Sequence, residues 1–260
     1  MNRIILFLLL SAFLSGTTVN AQSIEKTHDE WIQKFYIIKA GNLWFNSIRF
    51  AFPDITNTRT GTDTIPMYNA WDLPMELSFK NLPEYTTGQI IPPILNPGEE
   101  GKIIMTYDPV RKGTYGSVYE NIWLYTNDTV KPQKRLILNP NIMEDFSGLT
   151  EQQRAEAPRI VFEKDTYIFD TVATGSKVEY SFIFRNEGKS DLIIRNVKAG
   201  CGCTATHPEK TLLKPGESSN IGIVFNTSGR NGSQQKTVDV VANDPARPLT
   251  VLTIKGYVRP

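Results

Sequence analysis

Ala199-Gly200-Cys201-Gly202-Cys203-Thr204, followed by Lys214-Pro215-Gly216-Glu217 and the apolar run Ile221-Gly222-Ile223-Val224-Phe225, decides how the rest of the chain is read. Pro-Gly presets a tight turn, because proline fixes one φ and glycine accepts a positive one. The run behind it is short and β-branched, as a buried strand is. Upstream, Val178-Glu179-Tyr180-Ser181-Phe182-Ile183-Phe184 has the period of two that places alternate side chains on opposite faces of a sheet. Leu43-Trp44-Phe45, Ile103-Ile104-Met105-Thr106-Tyr107 and Leu249-Thr250-Val251-Leu252-Thr253-Ile254 read as strands too. Asn96-Pro97-Gly98, Asn127-Asp128, Asn186-Glu187-Gly188, Asn231-Gly232 and Asn243-Asp244-Pro245 punctuate them, a spacing of short strands and turns that predicts an all-β fold.

The pattern occurs twice. Pro97-Gly98-Glu99 and its run to Asp108 align on Pro215-Gly216-Glu217 and its run to Asn226 at an offset of 118. Ile65 to Asn69 align on Phe182 to Asn186 at 117, and Tyr125 to Asp128 on Val241 to Asp244 at 116. Three blocks in one order, with small drifts, indicate tandem domains whose loops differ in length. Each copy is about 100 residues, the size of an immunoglobulin-like sandwich. The expected architecture is therefore all-β, with two tandem immunoglobulin-like β-sandwich domains joined by a short, partly helical linker. Domain one is placed at 43–142, the linker at 143–157 and domain two at 158–260. Within the linker, Thr150 with Gln153 three residues on forms a capping box, which predicts one or two helical turns over 151–156. Residues 22–42, with Trp31, Phe35 and Tyr36, are expected to pack on domain one.

Residues 1–21 read as an export signal: Arg3, an apolar run from Ile4 to Leu14, and Val19-Asn20-Ala21 as a small-x-small cleavage site. That run is shorter than the roughly 20 residues a bilayer span needs, and no later stretch approaches that length. The chain has 28 basic and 27 acidic residues; removal of a leader whose one charged side chain is Arg3 leaves 27 of each. Such a balance argues against nucleic acid or an anionic membrane surface as partner. An exported protein, periplasmic or secreted, without a membrane span is expected.

Phe182 to Gly188, Leu192-Ile193-Ile194, Gly200-Cys201-Gly202-Cys203-Thr204, Lys214 to Glu217, Phe225-Asn226-Thr227, Ala242-Asn243-Asp244 and Ile254-Lys255-Gly256 together resemble the bacterial domain-of-unknown-function family numbered 1573. That family is immunoglobulin-like and related to the ASPM/Hydin type of domain. The resemblance covers domain two; domain one looks like a diverged second copy without the cysteine pair. It implies the fold and a bacterium of the Bacteroidota type, and implies no activity.

Chemistry-bearing residues are few. Cys201, Cys203 and His207 form one cluster of soft ligands. An exported compartment favours a Cys201–Cys203 disulfide, bent at Gly202. Two thiolates with His207 suit Cu(I). Thiol redox chemistry and simple burial of two small apolar groups are further readings. No other cofactor is indicated. His28, beside Asp29 and Glu30, is expected to be solvated, and two histidines so far apart assemble no Ser-His-Asp set. The expected function is non-enzymatic: an exported binding or scaffolding protein of the cell envelope, whose partner is another envelope protein reached through the edge strands of domain two or the 143–157 joint. The alternative is a copper-handling or thiol-redox protein using Cys201, Cys203 and His207. N-terminal sequencing of the exported protein tests the first step of this reading, and should give Gln22-Ser23-Ile24.

Overall fold

The described residues form two compact units: those within 21–50, 62–106 and 120–138 make the first, and those within 51–61, 107–119 and 139–260 the second. The computed structural model describes residues 21–53, 55–200, 203–205 and 208–260; the expected export signal, but for Ala21, lies outside them.

In the first unit, helix α1 (Ala21–Phe35) is followed by β1 (Ile38–Ala40), β2 (Leu43–Phe45) and β3 (Arg49–Phe50). Next come β4 (Gly61–Asn69), β5 (Met75–Phe79), β6 (Thr86–Ile91), β7 (Ile94–Leu95) and β8 (Glu100–Tyr107). The capped turn α2 (Pro109–Lys112) and β9 (Gly116–Ser117) belong to the second unit, β10 (Glu120–Thr126) and β11 (Gln133–Leu138) to the first, and β12 (Asn141–Ile142) to the second again. One sheet has the order β1-β2-β4-β8-β6, and a second β3-β11-β10-β5-β7. The period of two does the sorting: Ile103, Met105 and Tyr107 of β8 are buried, and so are Leu136 and Leu138 of β11 and Leu124 of β10. Ile32 and Tyr36 are buried, and Tyr36 stacks on Tyr68 of β4 at 5.8 Å. His28 is not fully solvated as its neighbours suggested, because the helix turns its half-buried ring toward Trp31, 6.5 Å away.

The second unit contains the β9–β12 pair, helix α3 (Glu151–Ala155), and β13 (Ile160–Phe162), β14 (Thr166–Ile168), β15 (Val172–Ala173), β16 (Lys177–Asn186) and β17 (Leu192–Ala199). They are followed by β18 (Cys203–Ala205), β19 (Leu212–Leu213), β20 (Ser218–Asn226), β21 (Gly232–Ala242) and β22 (Leu249–Arg259). A four-stranded sheet β13-β16-β20-β18 faces a larger one, β14-β22-β21-β17-β19, with β15 also on β22. Phe182 and Phe184 of β16, Ile221, Ile223 and Phe225 of β20, Val238 and Val240 of β21, and Leu252 and Ile254 of β22 fill the core. Helix α3 carries the expected capping box: the Thr150 hydroxyl accepts from Gln153 N–H, and the Gln153 side chain accepts from Thr150 N–H. Among the described residues no helix is long and apolar enough to cross a membrane.

The same buried asparagine closes both domains. The Asn69 carboxamide donates to the carbonyls of Leu73, Leu95 and Asn96 and accepts from Trp71 N–H. Asn186 donates to Ser190 and Leu213 and accepts from Arg159 and Gly188. Each asparagine backbone also clasps the Pro-Gly-Glu turn: Gly98 N–H donates to Asn69 O and Gly216 N–H to Asn186 O, at 2.9 and 2.8 Å. Those glycines have φ of +71° and +82°, which is why the turn needs glycine there.

The aspartates of the two Asn-Asp turns are also buried. Asp244 accepts from Ile160, Ala246 and Arg247 N–H, tying β13 to the turn after β21. Asp128 accepts from Asn42 and Val130 N–H and is paired with Lys134, both side chains having no exposed surface. Burial alone would raise the Asp128 carboxyl, but the Lys134 ammonium and these two N–H groups outweigh it and hold the carboxyl below its usual range.

Replacing Asn186 by Ala strands buried carbonyls and N–H groups, so urea unfolding should show a loss of about 2–4 kcal/mol, and Asn69→Ala a similar one. The lowered Asp128 pKa means that its stabilisation is present above the ordinary carboxylate range and lost as pH falls through the folded value. Melting curves from pH 7 down to about pH 2 should therefore fall more steeply for the native protein than for Asp128→Asn/Lys134→Met, which removes the charge without leaving a lone buried lysine.

Candidate functional site

The four-stranded sheet of the second unit has two unlike edges. On one side β13 pairs with only the last part of β16: Ile160, Val161 and Phe162 lie opposite Asn186, Arg185 and Phe184. Glu163 N–H still reaches Ile183 O at 3.1 Å. The chain then leaves this sheet through Glu163-Lys164-Asp165, three successive exposed charges that cannot continue an alternating strand. It arrives as β14, parallel to β22 of the opposite sheet, with Thr253 N–H donating to Asp165 O at 2.8 Å.

Strand β16 continues where β13 has gone. It pairs with β20 along its whole length, from Lys177 opposite Asn226 to Arg185 opposite Ser218. The bonds from Glu163 to Ile183 and from Glu187 to Arg159 show that the odd-numbered residues of β16 aim their peptide groups toward the β13 side. The N–H and C=O of Glu179 and Ser181 therefore point out of the sheet edge, and no described residue pairs with them. Their side chains are exposed, whereas Val178 and Phe182 turn into the core. Tyr167 of β14 stacks on Tyr180 at 3.9 Å and closes the sandwich beneath the open edge.

The other edge is β18, where the sequence places its cysteine cluster. Cys203, Thr204 and Ala205 pair with Phe225, Val224 and Ile223. Strand β17, which precedes β18 in the chain, belongs to the opposite sheet, and just past its end Gly200 N–H donates to Thr237 O at 2.9 Å. Cys203 is half-buried against the core. Burial pushes its thiol up, and the nearby Lys236 and Arg230 offset only part of that. A raised thiol is protonated at neutral pH, and a thiol is a weaker nucleophile and ligand than a thiolate. Cys201, Gly202 and His207 lie outside the described residues, and with them the Cys201–Cys203 bridge and the Cu(I) set. Among the described residues no group of three His, Cys, Asp or Glu side chains is placed to hold a metal.

Described residues of this unit line two hollows among others. One of about 540 Å³ opens where the chain between β14 and β15 passes Gly256, whose hydrogen faces the Phe169 ring; a Cβ there would overlap it. The other, of about 330 Å³, lies between α3 and the Asn186-Glu187-Gly188 and Asp244-Pro245 turns. Around the β9–β12 pair, the Arg195 guanidinium makes two hydrogen bonds to Glu144 at 2.9 and 3.0 Å and lies 5.2 Å from the Tyr115 ring centroid. Both hollows are lined in part by polar and charged side chains, among them Asp170, Gln234 and Lys255 in the first and Arg154, Arg159 and Glu187 in the second.

Residues 160–258 match the model of a family described as "Protein of unknown function (DUF1573)". No curated protein matches. A crystal structure of a protein of unknown function from Porphyromonas gingivalis W83 is similar at a TM-score of 0.67 and 18% identity, covering 84% of this chain and 100% of that one. At that identity the likeness is one of fold. An ASH/PapD-like domain of human CEP192 matches 44% of this chain and 95% of its own at a TM-score of 0.31 and 14% identity. The periplasmic chaperone SfaE matches 84% and 100%, at 0.31 and 13%.

In the reduced Cys201→Ser variant, alkylation of Cys203 should be slow at pH 7. Its rate should climb only as pH passes above the usual thiol value of about 8.5, as a rate–pH profile with iodoacetamide would show.

Proposed function

We propose that this chain is a non-enzymatic, exported binding protein of the bacterial cell envelope, in which domain two takes up an extended segment of another envelope protein as an added strand. The observation that supports this most is the open edge of β16, where the peptide groups of Glu179 and Ser181 face outward beyond the end of β13. Unpaired N–H and C=O groups in a row are a template for strand addition, in which main-chain hydrogen bonds supply the affinity. Lys177 and Glu179, of opposite sign, flank the opening; exposed charges on an edge discourage indiscriminate pairing and select the sequence that docks.

A photo-crosslinking residue at Ser181 should recover the same exported protein in repeated preparations, with hydrogen exchange at the Glu179 and Ser181 amides slowed in the complex. Glu179→Pro removes one outward N–H at an edge, where proline is tolerated, and should abolish capture while the melting temperature stays within a few degrees of the native value. Capture that is unchanged in Glu179→Pro, or never reproducible in the native protein, rejects strand addition at this edge.

A further inference from the structure

Strand β10 of the first unit turns two aromatic side chains away from the core. Ile122 and Leu124 are buried, and Trp123 and Tyr125 occupy the opposite, solvent-facing side. Trp123 is 42% exposed. The neighbouring strands complete the face. Arg135 of β11 lies directly opposite Trp123, and Gln133 opposite Tyr125. On the other flank Ser78 of β5 lies opposite Tyr125, and Lys80 follows one step beyond the strand, its Nζ 4.8 Å from the Tyr125 ring centroid.

This face is not explained by the fold. By the repeat offset of 116, the positions in domain two that match Trp123 and Tyr125 are Asp239 and Val241, so the sandwich does not need aromatic groups there. Among the described residues the side chains of Arg135, Gln133 and Ser78 make no hydrogen bond or ion pair. The exposed Trp123 ring, the half-buried Tyr125 ring, two cations and unengaged amide and hydroxyl groups thus share one surface, with side chains on adjacent strands about 5 Å apart and those along β10 about 7 Å apart.

We propose that this face binds an acidic polysaccharide. The apolar faces of sugar rings stack on Trp123 and Tyr125, whose ring planes offer π-density to C–H groups as they do to cations. Carboxylate or sulfate groups on the glycan pair with Arg135 and Lys80, the guanidinium donating two parallel hydrogen bonds to a carboxylate. Gln133 and Ser78 meet hydroxyls. Charge complementarity selects an acidic glycan over a neutral one. Single-stranded nucleic acid also combines stacking with anionic charge, but the chain has 28 basic against 27 acidic residues and lacks the cationic surplus that tracks a phosphate backbone. This site is on domain one and does not rest on the strand-edge reading.

Affinity electrophoresis of the full chain through gels containing polygalacturonate, with hydroxyethylcellulose as the neutral control, tests the site. Retardation by polygalacturonate alone is expected, weakened by added salt. Trp123→Ala should weaken it about tenfold, the loss expected for one stacking ring. Arg135→Gln, an exposed change that spares the fold, should weaken it several-fold and reduce its salt dependence. No retardation, equal retardation by the neutral polymer, retardation indifferent to both substitutions in proteins with native melting temperatures, or preference for a single-stranded oligonucleotide over polygalacturonate would each overturn the proposal.

Discussion

The carboxamides of Asn69 and Asn186, both without exposed surface, each join the end of a core strand to the carbonyls that precede a Pro-Gly-Glu turn. A polar group in a protein interior is costly unless its partners are present, so each asparagine is tolerable only when the turn stands in one position. That position fixes where the next strand begins. In domain two it sets Arg185 opposite Ser218, and the remaining pairs of β16 and β20 follow at one residue per step. A slip by one residue would turn Phe182 and Phe184 out to water. Hydrophobic burial drives the sandwich together, and the carboxamide decides in which register it closes.

A second constraint is carried by the Asn-Asp turns, and the two domains meet it differently. Asp244 is satisfied by three backbone N–H groups. Asp128 accepts two and adds a buried lysine. A buried ion pair repays its desolvation only with good geometry and further hydrogen bonds, and Lys134 also donates to the Lys131 carbonyl. Both turns tie the beginning of a domain to its penultimate hairpin, through Asn42 in one and Ile160 in the other. With both tethers in place, the surfaces outside them are free to differ. Domain two leaves the flank of β16 open, and domain one presents aromatic rings on β10.

How these surfaces arise is a matter of strand parity. Trp123-Leu124-Tyr125 looks in sequence like any apolar strand, and it contributed nothing to the functional reading. Once Leu124 is known to face the core, its neighbours must face water. The polar partners Arg135 and Gln133, alternating across the hairpin with Lys134 between them, were a readable signal that this side of β10 faces water. The open edge of β16 was less legible. Glu163-Lys164-Asp165 marks a break, but only the pairing of β14 with β22 shows that the chain changes sheets there.

Sequence alone determined the all-β class, the Pro-Gly-Glu and Asn-Asp turns and the capped helical turn at Thr150, because these rest on local periodicity and on residues with restricted φ. It also singled out the cysteine cluster, of which the described structure contains only Cys203, half-buried at an edge. Tertiary structure decided which asparagines are buried, which strand lacks a neighbour, which aromatic rings face solvent, and that residues 51–61 and 107–119 pack with the second unit. Those properties depend on contacts between residues far apart in the chain. A residue's type fixes its preferences, but its partners are fixed only when the sheets have closed.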